Sequence, residues 1–72
     1  MNLFFKIKKQ DIAFATAIIE SFEGVAAVRV PNPVPKSTFS ILHAAVSPNF
    51  TREFEKIIKD LSKEIEIERV EK

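Results

Sequence analysis

Two stretches with apolar residues at three- and four-residue spacing are each set between stretches that alternate residue by residue. This rhythm constrains the fold more than any single motif. In Asn2 to Lys8, Leu3, Phe5 and Ile7 point one way and Asn2, Phe4, Lys6 and Lys8 the other, the period of a half-buried strand. From Asp11 to Phe22 the spacing widens to Ile12, Ala15, Ile18, Ile19 and Phe22, with Phe14 and Ala17 broadening the stripe. Alanines favour helix there, Asp11 is placed as an N-cap, and Gly24, the single glycine, is placed as a left-handed C′ residue. Val25 to Val30 is short, rich in Val and stopped by Pro31, a second strand. Pro31 to Ser37 holds three prolines and makes a stiff connection that cannot lie inside a sheet. Thr38 to Val46 is a third strand, ended by Ser47-Pro48-Asn49. Phe50, Phe54, Ile57, Ile58 and Leu61 give the second helical stripe, and Glu64 to Glu68 alternates as the last strand.

The order is strand, helix, strand, strand, helix, strand. Right-handed crossovers put both helices on one side of one sheet. The predicted architecture is a single α+β domain over residues 1–72 of the ferredoxin-like split βαβ type (βαββαβ), with antiparallel strand order 4-1-3-2. Leu3, Phe5, Ile7, Ile65 and Ile67 are expected to lie under Ile12, Ile19, Phe22, Phe54, Ile57 and Leu61. A core this small leaves only a few kcal/mol of net stability, so association would help.

Little in the chain speaks for catalysis. His43 has no neighbouring nucleophile or orienting carboxylate, and no second His or Cys completes a metal site, so it reads as a strand histidine. Ser40, Ser47 and Ser62 have no base partner in view. Glu64, Glu66 and Glu68 repeat about 6.5–7 Å apart along a strand, too far for three to meet one ion. Cross-strand pairing with Lys6 and Lys8 explains them more simply. Gly24 makes no phosphate loop, and Asn49-Phe50-Thr51 matches a glycosylation sequon only by chance. Eleven Lys and Arg against ten Asp and Glu leave a formal charge of +1, no signature of a nucleic-acid or membrane binder. With no Cys, thiol chemistry and disulfides are out. No signal-like leader opens the chain, so a cytoplasmic protein with no catalytic residues, no cofactor and no metal is expected.

The sheet face turned away from the helices breaks the usual rule. A lone monomer should keep that face polar. Phe4 faces outward on the first strand, and the third is apolar on both sides, with Phe39, Ile41 and Ala45 on one and Leu42, Ala44 and Val46 on the other. Phe4 with Leu42, or Phe4 with Phe39 and Ile41, would make a contiguous patch of the kind that marks a partner surface. The interface is therefore assigned to Phe4, Phe39, Ile41, Leu42 and Ala44. A β-bulge turning Phe39 and Ile41 inward is the competing arrangement. The predicted role is a non-enzymatic regulatory or interaction module, self-associating as a homodimer or higher oligomer. Aromatics on central strands also describe single-stranded RNA binders, and Leu3-Phe4-Phe5-Lys6-Ile7 is faintly similar to one of their signatures. The second signature is absent and the glutamate row opposes phosphate, so nucleic acid is not expected.

Asp11 to Val30 resembles the first helix, glycine turn and second strand of ACT-type regulatory domains, and Ile57 to Val70 resembles their last helix and strand. The segment from Asp11-Ile12 through Glu20-Ser21-Phe22-Glu23-Gly24-Val25 to Arg29 is also similar to a bacterial family of about this length known only as a domain of unknown function. The ACT resemblance implies sensing of a small effector such as an amino acid. It would bind where the first strand turns into the first helix, at Lys9, Gln10, Asp11 and Ile12, with backbone N–H groups receiving a carboxylate. The glycine usual in that loop is missing, and Asp11 places a negative charge where the carboxylate would dock.

Overall fold

The structure, a computed structural model, describes residues 1–30 and 38–70. The expected proline-rich connection at Pro31 to Ser37 lies outside the described residues. The elements are β1 (Asn2–Lys8), a 3-10 turn (Lys9–Asp11), α1 (Ile12–Glu20), β2 (Ala26–Arg29), β3 (Phe39–Val46), a second 3-10 turn (Pro48–Phe50), α2 (Thr51–Leu61) and β4 (Ile67–Val70). The sheet order is β2-β3-β1-β4 with every neighbour antiparallel, the 4-1-3-2 order read from the other edge. The α+β architecture is thus the ferredoxin-like one.

The core forms where the alternation of β1 and the stripe of α2 predict, and it takes in one face of β3 that the sequence left open. Leu3, Phe5 and Ile7 of β1 and Leu42, Ala44 and Val46 of β3 meet Ala15 and Ile19 of α1 and Phe54, Ile57 and Leu61 of α2. The Phe5 and Phe54 rings sit 6.0 Å apart, tilted at 49°, the offset arrangement that ring quadrupoles favour. Ile12, Ile65 and Ile67 pack half-buried at its margin.

Four local expectations need correction. Phe22 is 48% exposed rather than in the core. Helix α1 ends at Glu20, and the Ser21 hydroxyl donates to the Ile18 carbonyl at 2.6 Å. The Phe22 N–H then bonds back only three residues, to Ile19. Phe22 has left the 3.6-residue rhythm that would have carried it inward, and Val25 is buried there instead. Gly24 does take the left-handed conformation (φ +80°), but in the turn beyond the helix rather than at C′. Asp11 stands at the N-cap position without a side-chain cap bond.

The fourth correction is β4, which begins at Ile67 rather than Glu64. The N–H groups of Glu64 and Ile65 both bond the Leu61 carbonyl, closing the end of α2. A donor spent on a helix terminus is not available to a ladder. Glu64 therefore sits in the turn, while Glu68 faces Lys6 across the β1–β4 pair and Glu66 reaches Lys8 at 3.5 Å. Both partners of that contact are more than a third exposed, so it contributes little stability.

The Ser40 hydroxyl, on the helix side of β3, is buried with no hydrogen-bond partner. An orphaned buried hydroxyl costs about 1–3 kcal/mol. Ser40→Ala is therefore expected to raise the urea midpoint, by about 1 kcal/mol of stability. A measured loss of stability would contradict this.

Candidate functional site

The β1–β3 register settles which side of β3 looks outward. Pairing runs without a break from Asn2↔Ala45 to Lys8↔Phe39, so no bulge reverses the pleat. Phe39, Ile41, His43 and Ala45 share the open face with Asn2, Phe4, Lys6 and Lys8. Leu42 and Ala44 are fully buried beneath the helices. They are removed from the candidate contact, because consecutive strand residues point to opposite faces and theirs is the core face.

What remains is a laid-out surface. One row crosses all four strands as Arg29, His43, Phe4 and Val70. The next crosses three as Ile41, Lys6 and Glu68. Phe4, Ile41, Phe39, His43 and Val70 are each half-buried, forming an apolar centre in partial contact with water. Polar groups brace it. The His43 ring stacks on Phe4 with centroids 4.8 Å apart and planes 12° from parallel. Arg29 Nε donates to His43 Nδ1 at 3.4 Å, and His43 Nε2 lies 3.0 Å from Asn2 Oδ1. A guanidinium only donates, so Nδ1 accepts and the ring proton sits on Nε2, directed at the Asn2 oxygen. Lys6 Nζ lies 4.5 Å from the Phe39 ring centroid, a cation–π contact. Three cations (Lys6, Lys8, Arg29) occupy the middle and the β2 edge, and Glu66 and Glu68 occupy the β4 edge. Two shallow depressions flank the centre, one of about 310 Å³ over Lys6, Phe39, Glu66 and Glu68, the other of about 290 Å³ over Arg29, His43 and Ala45.

Sequence reasoning did not place Arg29, His43 and Val70 on this face. Arg29 and Val70 join it through the registers of β2 and β4, and His43 through the β1–β3 register that turns its side of β3 outward.

At the turn from β1 into α1, Lys9, Asp11 and Ile12 are half-buried and Gln10 is exposed. The Lys9 N–H donates to the Thr38 carbonyl at 2.9 Å, and the Ile12 N–H donates to the Lys9 carbonyl. Two of the four amides that would receive a ligand carboxylate are thus already committed. Among the described residues, no group of three or more His, Cys, Asp or Glu is placed to hold a metal ion. Nor is any helix among them long and apolar enough to cross a membrane.

Comparison with protein-family models, with curated proteins and with solved structures finds no match to this chain.

Proposed function

We propose that the protein is a non-enzymatic regulatory or interaction module that pairs with a second copy of itself through the open sheet face. The observation that carries this reading is the apolar centre of Phe4, Ile41 and Val70, set between Phe39 and His43 on a face that a solitary sheet keeps polar.

The open face can pair about a two-fold axis. Consider an axis running along the strands between β1 and β3. It lays β1 of one copy over β3 of the other and β4 over β2. With rows kept level about that axis, Phe4 of each copy lies over His43 of its partner, Val70 over Arg29, and the aliphatic stem of Lys6 over Ile41, while Glu68 lies one row, about 7 Å, further along the β2 edge than Arg29. An isologous contact requires such self-complementarity. Strands of seven, four, eight and four residues set about 4.8 Å apart give a footprint of roughly 350 Å² per copy, the size of a weak, transient contact. The expected dimer is therefore dynamic, with a Kd of about 10–50 μM. Sedimentation velocity across a dilution series through that range should show the weight-average mass falling from two chains toward one.

The geometry favours self-pairing over single-stranded RNA. One face of the Phe4 ring is covered by His43, and Glu66 and Glu68 repel phosphate along one edge.

A further inference from the structure

The opposite side of the molecule carries a second apolar surface that self-pairing does not use. Three phenylalanines are left well exposed there: Phe14 (45%), Phe22 (48%) and Phe50 (38%). They are not scattered. A depression of about 230 Å³ between α1 and α2 is lined by Phe14, Ile18, Phe22, Ile57 and Leu61, with Asp60 and Glu64 as its charged groups. A second, of about 220 Å³, has Phe22, Val25, Phe50 and Ile57 with Glu53, Asp60 and Lys56. Phe22, Ile57 and Asp60 line both, so the two are halves of one groove. Its charged lining is three carboxylates against one ammonium. Lys63 stands 4.0 Å from Asp60, an exposed contact that leaves the carboxylate available to a partner.

We infer that this groove between the two helices docks a cationic amphipathic segment of another protein, an apolar stripe seated on Phe14, Phe22 and Ile57 with Lys or Arg side chains meeting Glu53, Asp60 and Glu64. The lining charge selects the occupant. A second copy docking groove to groove around a two-fold axis would bring carboxylates against carboxylates, a repulsive arrangement. An anionic lipid surface is opposed by the same three groups. A segment with a basic polar face satisfies them, and an apolar stripe at i, i+3, i+4 and i+7 suits a channel between two helices. The open face carries charges of both signs and so does not oppose a copy of itself in this way. The groove is acidic on balance and suits a different chain. This inference does not depend on the sheet-face dimer.

The test uses isotope-labelled full-length protein and three synthetic 16-residue amphipathic helices. They share one leucine stripe and carry Lys, Gln or Glu on the polar face. The Lys peptide is expected to bind at least tenfold tighter than the Glu peptide and to shift the resonances of Phe14, Phe22 and Ile57. Phe22→Ser and the double variant Asp60→Lys/Glu64→Lys are each expected to weaken the Lys peptide at least tenfold. All three substituted residues are exposed, so the fold should survive, and unchanged circular dichroism confirms it. Equal binding of the Lys and Glu peptides, shifts confined to the sheet face, or no binding at millimolar peptide would overturn the inference. So would a loss of self-association in Phe22→Ser, which would assign the groove to a second copy.

Discussion

Phe54→Ala should leave the protein barely folded at room temperature. Phe54 is 1% exposed and is among the largest of the fully buried side chains, resting on Phe5 and facing β1 from α2. Removing a buried phenyl costs about 3–5 kcal/mol, the transfer free energy plus the cavity left behind. A 72-residue domain has roughly 4–11 kcal/mol in total, scaling from about 0.05–0.15 kcal/mol per residue. One substitution therefore removes a large part of the margin. At a urea slope near 1 kcal/mol/M, the midpoint should fall by about 3 M or vanish into the baseline. A loss below about 1.5 kcal/mol would mean that the two layers are not joined through this ring.

Ile41→Glu should separate pairing from folding. Ile41 is half-buried on the open face and lies opposite Lys6 in the β1–β3 register. A glutamate there gains a cross-strand partner of opposite charge, so the monomer should keep its stability to within about 1 kcal/mol. In the pair, that carboxylate would enter the centre of the contact. Burying it and losing the isoleucine, twice in a symmetric dimer, should weaken association more than 100-fold, about 2.7 kcal/mol or more. The expected result is a folded monomer at every accessible concentration. A variant that dimerises like the parent would place the contact elsewhere.

How much of this was legible in the sequence depended on whether a pattern had one physical reading. Leu3, Phe5 and Ile7, and Phe54, Ile57 and Leu61, keep a single period with polar residues between, so β1, α2 and the core followed directly. In β3 both faces are apolar, and the period alone could not say that Leu42 and Ala44 turn inward while Phe39 and Ile41 turn outward. The β1–β3 register decides it. The Glu64–Glu68 alternation looked like a strand over its full length. Hydrogen bonding overrides the pattern, since Glu64 and Ile65 finish α2 before β4 can begin. Phe22 failed for the same reason one helix earlier: a stripe extrapolated past the helix end no longer tracks a face. The helix-side groove was not read from the sequence: Phe14 reads there as a widening of the α1 stripe, and Phe22 and Phe50 join it only once both helix ends are placed.

Sedimentation velocity on the unmodified chain, from about 1 to 500 μM at moderate salt, bears most directly on the role given to the open face. A reversible rise from one chain to two, centred in the tens of micromolar, is the predicted behaviour. A single boundary at the mass of one chain across the whole range would contradict it.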